Sequence, residues 1–209
     1  MKNLDQISSR IRENLSAKNA ARDKALERSR TLIRFCANSI RAAHRDDRAE
    51  ARTLLAQAKG IVDAIRADLT AYPDLYHAGY TQDALKEFAE ASIVLTLLAD
   101  EPLPDPDSLG VEYAAYLNGL GEAATEMRRR CLDIIRHGHS AEAERLLEAM
   151  DDIYSLLVTI DYPDALTGGL RRTTDIVRSV VERTRGDLTL SIRQQALQEA
   201  LKRHDPNSK

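Results

Sequence analysis

From Leu4 to about His44 apolar side chains recur at helical spacing, with Ile7, Ile11 and Leu15 followed by Leu26, Ile33, Ala37 and Ile40 and almost no breaker between them. Such a run predicts one very long helix. No segment elsewhere alternates with period two, and no internal repeat is present. A chain patterned this way is confined to burying helices against helices.

The rest of the sequence divides at its turn residues. "HRDDRAEAR" restarts a second helix, with Asp46 or Asp47 placed to cap it, through Leu54, Leu55, Ile61 and Ile65 to about Ala71. "AYPDLYHAGYT" breaks the pattern, and a third helix is predicted from Thr81 as N-cap to about Asp100. The proline-bearing "EPLPDPDSLG" precedes a fourth, from about Leu109 to His137. Ser140 can cap a fifth, which ends near "DYPDALTGG". "LRRTTDIVRSVVERTRGDL" forms a sixth with Gly186 as its stop, and a last helix passes through Ala196 to Leu201. The class is all-α, with about seven helices in a single domain over residues 1–203 and a frayed tail over 204–209.

Composition narrows the function classes. Of 209 residues, 43% are hydrophobic and 30% charged, with 9 Gly and 6 Pro, the profile of a globular chain of long helices. A net charge of -3 excludes a protein that coats nucleic acid with its whole surface, so any basic face must be local. Cys36 and Cys131 sit far apart within helical patterns, without metal-ligand spacing, and read as buried thiols in a reducing compartment. No apolar run approaches bilayer length and the N-terminus lacks a signal-peptide core, which makes a cytoplasmic location the expectation and a membrane role unexpected.

The acidic residues carry the chemistry. In "YLNGLGEAATEMRRRCLD", Glu122 and Glu126 stand one turn apart, where like charges repel. They project opposite the apolar stripe Tyr113, Leu117, Leu120, Ala124, Met127, Cys131 and Ile134, on the side that also carries Asp133. In the third helix the stripe is Leu85, Phe88, Ser92, Leu95 and Ala99, with Asp83, Glu87 and Glu90 opposite; Val94 and Leu97 then continue that acidic side. A helix apolar all round in its second half is covered on both faces, so the carboxylates just before it face a cavity or interface. Desolvated like charges protonate unless something positive joins them. Paired carboxylates without adjacent histidine suit a hard cation such as Mg²⁺ or Mn²⁺. None of the 5 His lies three residues after a Glu, which disfavours a di-iron centre, and C-x-x-C, H-E-x-x-H, Ser-His-Asp and P-loop patterns are absent.

Four stretches together resemble the translin family, that is, translin and translin-associated factor X (TRAX). They are "ARDKALERSRTLIRFCANSIRAAHR" in the first helix, "LKEFAEA" in the third, "YLNGLGEAATEMRRRCLD" in the fourth and "LRRTTDIVRSVVERTRGDLTL" near the end. The resemblance spans most of the chain and implies a seven-helix bundle that assembles into a closed hollow homo-oligomer, usually an octamer. In X-type subunits, metal-dependent endoribonucleases, the third-helix motif supplies two glutamates and the fourth helix an acid with a glutamate one turn later. The matching positions here are Glu87, Glu90, Glu122 and Glu126. The first fourth-helix acid is typically aspartate, so Glu122 is one methylene longer than the family pattern. The implied chemistry has these carboxylates hold Mg²⁺ or Mn²⁺, which polarises a scissile phosphate and acidifies an attacking water, with Glu126 as the residue that can instead orient that water. RNA is the implied partner, with single-stranded DNA and a translin-like paralogue as further candidates. The alternative is a non-catalytic, translin-like nucleic-acid-binding oligomer.

Basic rows complete the reading. Arg171, Arg178 and Arg185 repeat every seven residues with Asp175 and Glu182 interleaved, the pattern of a salt-bridged surface or subunit interface. Of Arg128, Arg129 and Arg130, only Arg129 lies near the glutamate face and can meet a phosphate. Lys18, Arg22, Lys24 and Arg28 in the first helix are candidate RNA contacts beside the plainer reading of a solvated face. With no Trp and 2 Phe, no base-stacking platform is evident, and Tyr76 and Tyr80 are read as packing their loop.

Overall fold

The computed structural model of the chain describes residues 3–138 and 140–204, and among these it contains no strand. Nine helices follow in order: α1 (Leu4–His44), α2 (Arg48–Asp68), α3 (Pro73–Tyr76), α4 (Gly79–Ala99), α5 (Pro106–Leu109), α6 (Tyr113–Ile135), α7 (Ser140–Val158), α8 (Asp164–Thr167) and α9 (Leu170–His204). Three are single turns that occupy segments read as loops. In α3 and α5 a proline at the start supplies a preset φ and lacks only an N–H that the first turn cannot use.

Two boundaries depart from expectation. Thr81 does not cap the third long helix, which begins at Gly79; its hydroxyl donates instead to the Leu75 carbonyl at 2.9 Å. Gly186 does not stop a helix: α9 runs through it, merging the expected sixth and last helices. A helix-interior glycine costs only about 1 kcal/mol relative to alanine, which the flanking turns outweigh. The Ser140 side chain and the tail over 205–209 lie outside the described residues.

The chain divides into two compact units, Met1–Ser92 with Pro104–Tyr116 and Ile93–Leu103 with Leu117–Lys209, so that α4 and α6 each contribute to both. In the first unit α1 folds back on α2 through a tight turn in which Asp46 takes φ 61°, a left-handed conformation that aspartate tolerates. Asp47 caps α2 as its position suggested, accepting from the Glu50 N–H at 3.0 Å. Leu32, Cys36 and Ile40 on α1 and Ala58, Val62 and Ile65 on α2 are buried. Each large side chain among them contributes about 1.5–3 kcal/mol. The Ser39 hydroxyl donates to the Ala51 carbonyl at 2.8 Å, close to the turn. The first part of α1 buries almost nothing: Leu4, Ile11 and Leu15 are each more than half exposed.

In the second unit α7 packs along α9, and Leu120, Ala124, Met127, Cys131 and Ile134 form the buried stripe of α6. Asn118 pins this unit from within: its amide donates to the Thr167 carbonyl at 2.8 Å and its oxygen accepts from Thr173 at 2.7 Å. Leu188 is the last buried apolar residue described on α9, beyond which Leu190, Leu197 and Leu201 stand exposed.

Candidate functional site

Helix rotation decides which carboxylates α4 presents. Leu85, Phe88 and Ser92 are buried, as the stripe predicts, while its later members Leu95 and Ala99 are half-buried; in the second half Ile93, Val94 and Leu97 are buried as well. Glu87 and Glu90, one turn apart just before that half, are drawn out of bulk water with it. Glu90 retains 8% exposure and Glu87 is half-buried. Each offers a carboxylate oxygen within 4.8 Å of the other's. At the effective dielectric of about 20 that suits sites near a protein surface, that spacing costs about 3 kcal/mol of repulsion.

Two further residues of the same unit stand near this pair: Lys86, which the sequence reading passed over, and Cys36, which it read as a buried thiol. The Lys86 ammonium lies 3.6 Å from a Glu87 oxygen, with its side chain only 22% exposed. The signal was available, since Lys86 and Glu90 are four residues apart on one helix face. Cys36, fully buried on α1, has its thiol pushed up first by burial and then by the charges of Glu87 and Glu90. The Glu87 and Glu90 carboxylates offer hard oxygen donors, which suit a hard cation.

On α6, Glu122 and Glu126 are both half-buried. Glu126 has Arg129 at 3.9 Å, an i,i+3 pairing on one helix face. Arg130 turns instead to Glu142 at 3.4 Å, and Arg128 to Asp187 at 2.8 Å and Thr184 at 3.1 Å. Asp133 is half exposed and pairs loosely with Arg136.

The basic rows are largely engaged. Lys18 pairs with Asp74 at 2.6 Å, and Lys24 and Arg28 share Asp68 at 2.8 and 2.9 Å. Arg22 lies beside Asp23 at 3.3 Å. On α9, Arg171, Arg178 and Arg185 pair with Asp161, Glu182 and Asp151, the salt-bridged surface that their spacing suggested.

No family model matches the chain. A search of curated proteins matches the uncharacterized protein MJ0175 of Methanocaldococcus jannaschii, 31% identical over 191 residues that cover 90% of this chain and 84% of that one. Among solved structures, AfC3PO in complex with duplex RNA matches at TM-score 0.85 and 31% identity, covering 90% of this chain and 97% of that one. A crystal structure of AfC3PO matches at TM-score 0.84, with the same identity and 98% of its chain covered. The chain belongs to the translin/TRAX family. A further match to apo-NeC3PO, at TM-score 0.79 and 20% identity over 91% of this chain and 98% of that one, shows the shared fold. Within the translin/TRAX fold the acidic residues occupy two helices, α4 and α6, and no described helix is long and apolar enough to cross a membrane.

Proposed function

We propose that this translin/TRAX chain is a cytoplasmic, RNA-binding endoribonuclease in which Glu87, Glu90 and Glu122 each give a carboxylate oxygen to one Mg²⁺ or Mn²⁺, with Glu126 as a fourth candidate ligand. The observation that carries the reading is the Glu87–Glu90 pair itself. Two carboxylates held this close and this far from water are costly in a protein that needs only solubility, and a divalent cation turns the cost into affinity.

When bound, the cation supplies electrophilic polarisation of the scissile phosphate and acidification of the attacking water. The chain's own residues do the rest. Glu126 would orient the water and accept its proton as the water's oxygen bonds to phosphorus; that proton would then pass to the departing ribose oxygen. Arg129, well exposed, donates to a non-bridging phosphate oxygen. Lys18, Arg22, Lys24 and Arg28 reach the RNA backbone farther away, by exchanging their present carboxylate partners for phosphates. Support for RNA as the ligand comes from the similarity to AfC3PO, which is described in complex with duplex RNA.

The apolar residues left exposed on the first part of α1 and the last part of α9 support assembly into a closed homo-oligomer, an octamer by resemblance, with room for a paralogous subunit. One feature favours the non-catalytic alternative: Glu122 stands where the family's usual residue is aspartate, and the longer side chain alters how an ion is held. Cleavage of labelled RNA with Mg²⁺, with Mn²⁺ and with chelator separates the readings. Products that need the metal and vanish in Glu87→Gln support the nuclease; binding of RNA or single-stranded DNA without cleavage supports the alternative.

A further inference from the structure

We propose that the exposed face of the second half of α1 is a docking ridge for the phosphodiester backbone of duplex RNA, formed by Arg30, Arg34 and Arg41 and separate from the Glu87–Glu90 pair of the same chain. The inference rests on the RNA-binding reading but not on cleavage. At about 100° per residue the three side chains leave α1 within about 40° of one another, over a rise of roughly 16 Å. All three are exposed, and none forms an ion pair among the described residues.

Earlier on α1 the basic residues are balanced: Lys18 has Asp74, and Lys24 and Arg28 share Asp68. Along the ridge the nearest carboxylate on the same stripe is Glu27, one turn before Arg30, and no ion pair joins them. Arg45, just past the helix, is already held by Glu50 at 2.8 Å. The helix dipole favours Arg41 in the last turn but does not reach Arg30 or Arg34. Like charges one turn apart destabilise a helix, and a polyanion laid along them offsets that cost. Asn38 accepts from Arg41 Nη1 at 2.9 Å and holds that guanidinium along the row. A protein partner needs an apolar centre to anchor it, and this face offers only Ala37 and, at its margin, Ile33. A straight row of guanidiniums, each able to fork onto phosphate oxygens, matches a nucleic-acid backbone instead. The ridge also faces away from the carboxylates. Its members lie at least about 120° around α1 from Cys36, the buried residue whose thiol feels the charges of Glu87 and Glu90.

The test measures binding of a labelled RNA duplex to the full-length protein in chelator across a range of salt concentrations, so that cleavage plays no part. Wild type is compared with the triple variant Arg30→Gln, Arg34→Gln, Arg41→Gln. A second triple variant, Arg171→Gln, Arg178→Gln, Arg185→Gln, removes the same charge from arginines already paired with carboxylates. The α1 variant is expected to lose at least about tenfold in affinity at low salt, and its slope of log affinity against log salt to flatten by about two to three. The α9 variant is expected to keep the wild-type slope, and light scattering to show one assembly state for all three proteins. An α1 variant with the wild-type slope, or an α9 variant that flattens equally, overturns the proposal. So does a changed assembly state in the α1 variant, which makes the ridge a protein interface. If wild type does not bind the duplex, the RNA-binding reading falls and takes this inference with it. If wild type binds it through the ridge yet never cleaves with Mg²⁺ or Mn²⁺, the ridge stands and the nuclease reading alone falls.

Discussion

Gly121→Ala tests the packing beneath the α6 carboxylates, and its cost can be worked from the structure. A Cβ on Gly121 would lie 2.3 Å from the Thr173 Cγ2 methyl and 3.4 Å from Leu157 Cδ1 and Val177 Cγ2. Carbon atoms in contact prefer about 3.5–4.0 Å. The Thr173 methyl cannot swing aside freely, because the same Cβ carries the hydroxyl that donates to Asn118 at 2.7 Å. Asn118 is itself buried and tied to the Thr167 carbonyl. Either the helices separate or that hydrogen bond breaks. Overpacking costs about 1–3 kcal/mol and the weakened bond about 1 more, against about 1 gained from alanine's helix propensity. The net is a loss of about 1–3 kcal/mol, which at this chain length lowers Tm by roughly 2–12 °C. Gly186→Ala is the matched control: nothing lies within 4 Å of its added methyl, so propensity acts alone and Tm should rise by a few degrees. Calorimetry in chelator reads both. A Gly121→Ala protein as stable as wild type, or a pair of variants shifting in the same direction, would refute the packing argument.

Other expectations follow from the same structure. In chelator, Glu122→Gln should leave Tm unchanged or slightly raised, and with Mn²⁺ it should lose both cleavage and most of the metal-induced thermal shift; Asp133→Asn should do neither, and identical behaviour of the two in calorimetry and cleavage would sink the functional reading. Burial pushes the Cys131 thiol from 9.0 up to about 11, aided by Glu142 and Glu144 and opposed by Arg128, and it remains protonated in the fold after the unfolded chain has ionised. Its contribution is therefore complete below the unfolded value and is lost as pH rises through the folded one, so wild type should lose stability more steeply than Cys131→Ala across that interval; equal slopes in urea titrations would contradict this. Light scattering at micromolar concentration should show a closed homo-oligomer, and a monomer there would leave the exposed ends of α1 and α9 unexplained.

Much of this architecture was readable because helical period and capping are local properties. The breaker-free run from Leu4 ends at His44, and the Asp47 cap is decided by its own side chain. The misreadings arose where local rules leave a residue two uses. Thr81 satisfies a carbonyl rather than opening a helix, and Gly186 lies within a helix that its neighbours are strong enough to continue. Glu87 and Glu90 could be named from their position opposite Leu85 and Phe88 and just before an all-apolar half-helix. Cys36 could not be placed beside them, since that requires knowing how α1 packs. Gly121 looked like any helical glycine until Thr173 was seen against it.

The central claim is that carboxylates from α4 and α6 serve one divalent cation, and Mn²⁺ titration of the protein monitored by electron paramagnetic resonance tests it most directly. The account predicts one tight Mn²⁺ per chain in wild type and in Asp133→Asn, and loss of that same ion in both Glu87→Gln and Glu122→Gln. Undiminished tight binding in either glutamine variant, or no tight ion in wild type, would contradict it.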